Sequence, residues 1–205
     1  AEHFFDQARP LFQMVNAKDD EAMLLMNQGV IANDRGDWCL AKRVLKEAFT
    51  LFTEMYHLRG LMMTQSEFGI AAMRMGQYPL SEDHFLKALS LGDQLNEQRE
   101  LMITQRELGY LYSLMDRHDR ALELLFDSLA MAQSLEIDRS VAIANMRIGQ
   151  VFIHRGQLRE ANAKLSHACS EFSRIGEHKW HRECQIALAE SWYLLGDLPK
   201  AHAMI

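Results

Sequence analysis

A glycine returns at a fixed interval along this chain, at Gly29, Gly69, Gly109 and Gly149, and Ala189 takes the next place. A second series keeps step with it: Gly36, Gly76, Gly156 and Gly196, with Asp116 in the gap. A third is Ala41, Ala121, Ala161 and Ala201, with Ser81. A fixed period of this length marks a stacked array, because one supersecondary unit cannot bury its own apolar face and must pack on its neighbours. Such arrays bind along a surface and seldom catalyse from a pocket.

Within each period the pattern is helical. Residues 59–75 carry apolar residues at helical spacing without proline, Gly76-Gln77 makes a turn, and residues 78–95 form a second helical pattern. Pro79 sits where a first-turn proline is tolerated, as does Pro199 three repeats later. The phase predicts helix pairs at 21–35 with 38–55, 98–115 with 118–135, 138–155 with 158–175, and 178–195 with a partner starting at Leu198. Residues 1–16 fit the second helix of an earlier repeat, with Ala8 matching Ala48 and Phe12 matching Phe52; Pro10 predicts a kink there. The boundaries expected are a partial repeat at 1–18, full repeats at 19–57, 58–97, 98–137 and 138–177, and a partial one at 178–205. The chain opens on Ala1 without methionine and ends inside a repeat, so it reads as a single array cut from a longer protein. Glycine and alanine let the paired helices approach, and Trp38, Leu45, Tyr78, Phe85, Tyr112, Leu125, Phe152, Leu165 and Trp192 fill the space between.

The third repeat reads Leu108-Gly109, Tyr112, Ala121, Leu125; the second reads Phe68-Gly69, Ala72, Gly76, Tyr78, Phe85, Ala88. This order resembles the tetratricopeptide repeat over essentially all of the chain. The usual period of that repeat is shorter than the interval here. HEAT and armadillo repeats come nearer to this period but lack the glycine–alanine spacing. Tetratricopeptide units of this greater length are similar to those of LGN/Pins-type adaptors, kinesin light chains, MalT-like transcription activators and the sensory arms of some bacterial diguanylate cyclases. The resemblance implies an all-α, right-handed superhelical solenoid that recognises a protein or an effector.

It also implies a concave groove lined by the first helices, at positions six and three before the glycine and one, four and five after it. These are Met23, Met26, Val30, Asn33 and Asp34, then Met63, Ser66, Ile70, Met73 and Arg74. Ile103, Arg106, Tyr110, Ser113 and Leu114 follow, then Ile143, Met146, Gln150, Ile153 and His154, then Glu183, Ile186, Glu190, Tyr193 and Leu194. So apolar a face is either an interaction surface, made adaptable by methionine, or is buried by the curl of the long helices. Arg59, Arg99, Arg139 and Lys179 recur near the start of each first helix, where a base opposes the helix dipole. Two readings stand: the ladder captures acidic residues of a partner, or it pairs with Glu54, Glu136 and other acids of adjacent helices. Gln65, Gln105, Asn145 and Gln185 form an amide ladder. It is read as amide contacts that fix the stacking of neighbouring repeats, with a ligand pocket as the alternative.

Other chemistry is sparse. A net charge of −6 argues against a nucleic-acid-binding face. Cys39, Cys169 and Cys184 form no CxxC and read as apolar packers in a reducing compartment. No apolar run reaches membrane-spanning length and no signal peptide is visible, so a cytoplasmic location is expected. His178, His181 and Cys184 wind about a helix and lack a fourth metal ligand. No phosphate loop, metalloprotease or nucleophile-elbow motif is present. The expectation is therefore a non-enzyme with no cofactor, metal or membrane partner, which holds a protein or peptide segment with apolar and acidic residues. The expected binding residues are Met63, Ser66, Ile70, Met73, Arg74, Arg99, Ile103, Arg106, Tyr110, Arg139, Ile143, Met146 and Gln150. The alternatives are a regulatory arm that binds an effector or its own output domain, and a homodimerisation module.

Overall fold

The computed structural model describes residues 2–204, apart from the side chains of residues 2, 3 and 6; the expected helix ends at Ala1 and Ile205 lie outside it. Among these residues lie eleven α-helices: α1 (Glu2–Met14), α2 (Lys18–Arg35), α3 (Trp38–Glu54), α4 (Leu58–Arg74), α5 (Tyr78–Leu95), α6 (Gln98–Leu114), α7 (His118–Ser134), α8 (Asp138–His154), α9 (Leu158–Ile175), α10 (His178–Leu194) and α11 (Leu198–Ala203). The fold is all-α. Pro10 lies inside α1, which remains one helix from Glu2 to Met14. Helix α2 starts at Lys18, ahead of the first apolar residue of its pattern, because Asp19, Asp20 and Glu21 suit the positive end of the helix dipole.

Every helix from α1 to α10 is closed by a residue with positive φ, and these residues are evenly spaced: Asn16, Gly36, Tyr56, Gly76, Asn96, Asp116, Glu136, Gly156, Gly176 and Gly196. The N–H that follows each one reaches back to the carbonyl five residues earlier, as in Gln77 to Ala72 at 2.9 Å and Gln157 to Phe152 at 2.9 Å. This is the Schellman closure, which satisfies the orphan carbonyls of the last turn. The period of the backbone is thus half the period of the sequence. At alternate turns the left-handed residue is mostly not glycine, so the glycine pattern alone hides those turns.

The chain divides into two compact units, residues 1–104 and 105–205, with the boundary inside α6. In the first, Leu45 presses on Gly29 and Phe85 on Gly69; a Cβ built on Gly69 would lie 2.7 Å from the Phe85 ring. The core there gathers Ala22, Leu25, Met26, Val44, Leu45, Ala48 and Phe52. Ser81 replaces alanine at full burial because its hydroxyl donates to the Gly69 carbonyl at 2.7 Å. In the second unit, Leu125 presses on Gly109 and Leu165 on Gly149. Its core joins Ile143, Met146, Leu165, Cys169, Phe172, Cys184 and Leu188, with Trp180 packed against them. In both units a second helix packs on its own first helix and on the first helix of the next repeat, as α3 does on α2 and α4, and α9 on α8 and α10.

Candidate functional site

At about 100° per residue, the positions six and two before the repeat glycine and one and five after it fall on one helix stripe. Positions three before and four after lie on the neighbouring stripe. The structure separates the two. On the second stripe Met26, Ser66, Arg106 and Met146 are buried, as are Asn33, Met73, Ser113 and Ile153. These side chains hold successive first helices together: Asn33 donates to the Glu67 side chain at 2.9 Å and to its carbonyl at 3.1 Å, and Thr104 donates to Ser66 at 3.4 Å. Ser66, Met73, Arg106 and Met146 therefore do not line an open groove, which corrects the sequence reading. That reading merged two stripes that point in different directions. Ile143 lies on the first stripe but is fully buried within the core cluster against which Trp180 packs.

What stays open to solvent differs between the units. In the first, Met23, Val30, Met63, Ile70 and Ile103 are half-buried, and Arg74 and Arg99 are exposed. This is an apolar stripe edged by cations. In the second, Tyr110 and Gln150 are half-buried and are joined by Arg147. The buried Arg147 guanidinium lies 3.7 Å from the Tyr110 ring centroid and 5.5 Å from that of Trp180, and it donates to the Gln150 side chain at 3.0 Å. Arg106 is held by Glu107 at 2.9 Å. Such cation–aromatic stacking gains strength when desolvated. Arg147 and Trp180 were missed by the sequence reading. Arg147 sits two residues before Gly149, on the first stripe, and only a helix-wheel argument exposes it.

The basic ladder turns inward in two of its rungs. Arg59 pairs with Glu97 at 3.5 Å and Glu100 at 3.8 Å, and Arg139 pairs with Glu177 at 2.5 Å. Glu97 and Glu177 each follow their arginine by two residues less than a full period. From Arg99 that step lands on Ile137; Arg99 is exposed, and its charge acts on the adjacent Glu100 carboxyl. Arg139, expected to face a partner, is thus a joint between helices. The amide ladder works within a repeat, which corrects its expected role between repeats. Gln65 lies 2.6 Å from the ring Nδ1 of His84, and Lys164 donates to Asn145 at 3.1 Å, so each amide meets the same place on its partner helix. The same step from Gln105 reaches Leu124, and the Gln105 carbonyl oxygen is left buried without a partner. Burial of the His84 ring, stacked on Phe68, lowers its pKa, and its Nδ1–H donates to the Gln65 side-chain oxygen, which can only accept.

Among the described residues no three His, Cys, Asp or Glu side chains converge as metal ligands, and no helix is long and apolar enough to cross a membrane. Cys184 faces the Leu165 carbonyl of α9.

Residues 60–134 match the family model described as tetratricopeptide repeat. Solved structures of similar fold include BtubC from P. vanneervenii, at 16% identity and a TM-score of 0.77 over 98% of this chain and 84% of that one. Another is the Rap conjugation gene regulator of plasmid pLS20 in complex with the Phr* peptide, at 17% identity and 0.77 over 90% and 51%. A third is the signal transduction ATPase with a tetratricopeptide repeat sensor from Pyrococcus horikoshii, at 14% and 0.75 over 98% and 32%. The chain thus spans about half of the second and a third of the last. No curated protein sequence matches the chain. At these identities the likeness is one of fold, and the match to the tetratricopeptide repeat itself covers residues 60–134.

Proposed function

We propose that this chain is a non-catalytic interaction module of a signalling protein, working in the cytoplasm, and that its first unit holds a peptide segment with an apolar face and an acidic edge. The carrying observation is the half-buried stripe Met63, Ile70 and Ile103 beside the cations Arg74 and Arg99. Apolar side chains that remain partly open mark interaction sites, and methionine repacks around varied partners. Arg99 is exposed, so a partner's carboxylate finds a forked donor there. The Rap regulator of similar fold is in complex with a peptide, which supports this class of ligand.

The test is selection from a displayed library of random peptides, followed by titration of the enriched peptides with the whole chain. Enriched sequences carry acidic residues beside apolar ones. Arg99→Glu weakens their binding tenfold or more, a loss of about 1.4 kcal/mol, while Arg139→Glu changes it little. Equal binding by both variants, or no enrichment, overturns the proposal. The second reading is a regulatory arm that binds an effector or its own output domain, supported by the tetratricopeptide sensor of the Pyrococcus ATPase.

A further inference from the structure

Cysteine occupies two facing places in the second unit and in no other helix pair of the chain. Cys169 lies on α9, where the other repeats have Phe49, Leu89 and Leu129. Cys184 lies on α10, where they have Leu24, Thr64, Thr104 and Ala144. Both belong to one core cluster. The Cys184 thiol lies 3.2 Å from the Leu165 carbonyl, one helical turn before Cys169 on the same helix. That places the Cys184 thiol against the turn of α9 that carries Cys169, within the same core cluster. Cys39, the third free thiol, is exposed and lies in the first unit.

We propose that Cys169 and Cys184 form an oxidisable dithiol, which hydrogen peroxide closes to a disulfide between α9 and α10. Cys169 is 8% exposed and Cys184 is fully buried, so peroxide reaches Cys169 first. The neighbouring Cys184 side chain lowers the Cys169 pKa against the opposing effect of burial. The Cys169 side chain, together with burial, raises that of Cys184, so Cys169 is the first of the two to ionise. The Cys169 thiolate attacks one peroxide oxygen, the O–O bond breaks, and the departing hydroxide takes a proton to become water. The Cys184 sulfur then attacks the Cys169 sulfenic acid, its proton passes to the departing hydroxide, and a second water leaves. The two thiols lose two electrons and two protons, and one peroxide becomes two waters. A thiol reductant reverses the step by exchange. The bond would fix α10, which carries Glu183 and Glu190, to the body of α9.

The experiment treats the fully reduced chain with increasing hydrogen peroxide, then alkylates under denaturing conditions and maps the peptides by mass. The free thiols are expected to fall from three to one, with a linked peptide that contains residues 169 and 184 and that dithiothreitol releases. In Cys184→Ser, which keeps a donor at that place but has no sulfur, the reaction stops at the sulfenic acid of Cys169, which dimedone traps; the wild-type mapping decides the matter if that variant does not fold. Cys169 and Cys184 both alkylated at peroxide levels that already oxidise Cys39 would overturn the proposal.

Discussion

The contact between Gly69 and Phe85 makes a sharp prediction, because two ordinary effects oppose each other there. Gly69 lies inside α4, where replacing glycine by alanine normally stabilises a helix by about 1 kcal/mol. Here the new Cβ would meet Phe85 ring atoms at 2.7, 2.7 and 3.0 Å. The ring is fully buried and cannot swing into solvent, so the overpacking costs roughly 1–3 kcal/mol. A clash this close places the cost near the top of that range, and Gly69→Ala is expected to lose about 1–2 kcal/mol net. Phe85→Ala alone costs about 3–5 kcal/mol through its cavity. In that background the obstacle is gone, and adding Gly69→Ala should now stabilise by about 1 kcal/mol. The sign change corresponds to a coupling of about 2–3 kcal/mol between the two sites. Urea unfolding of the four proteins, with hydrogen exchange of the α4 and α5 amides as a local readout, measures it. If Gly69→Ala stabilises the wild-type chain, the close helix approach that accounts for the recurring glycine is wrong.

Other consequences are as direct. Glu136 holds φ 54° without being glycine, so Glu136→Gly should raise stability by about 1 kcal/mol, and Gly156→Ala should lower it by a similar amount in the same thermal assay. The His84 pKa is lowered by burial, so the unfolded chain binds the proton more readily and stability falls as pH drops through 6.5 towards the folded value, then levels off below it. His84→Phe should remove that slope in melts between neutral and acid pH. Met146→Ala should cost about 2–5 kcal/mol and the exposed Arg74→Ala less than about 0.5 kcal/mol. Equal losses would contradict the division of the first helices into a buried and an open stripe.

The helix pairs were legible because the residues that set them are few and regular. Glycine meets a large side chain one helix later, and Ala41, Ala121 and Ala161 sit fully buried in the same register. The alternate turns were not legible as a series, since Asn16, Tyr56, Asn96 and Glu136 adopt the left-handed conformation without a glycine to announce it. The candidate site was read less well. Residues seven apart, such as Met146 and Ile153, share a face, but it is the face covered by the next first helix, and both are buried. Composition cannot tell a methionine on that face from Met63 on the open one. Nor does the recurrence of Arg59 and Arg139 reveal which acid meets them, because Glu97 and Glu177 lie almost a whole repeat away. That step becomes visible only once the register between repeats is known.

The joints between first helices bear on how such a protein can change over evolutionary time. The scaffold residues are nearly the same in each repeat, which invites duplication and exchange of whole segments. The joints are not the same. Asn33 meets Glu67, Ser66 meets Thr104, Tyr110 meets Arg147, and Arg139 meets Glu177. If the segment carrying Arg147 were moved to follow the one carrying Ile70, it would lose its aromatic seat and bury a cation on an aliphatic side chain. The array therefore behaves as an ordered sentence: its words share a grammar but cannot be shuffled without penalty, and recombination would have to carry neighbouring segments together.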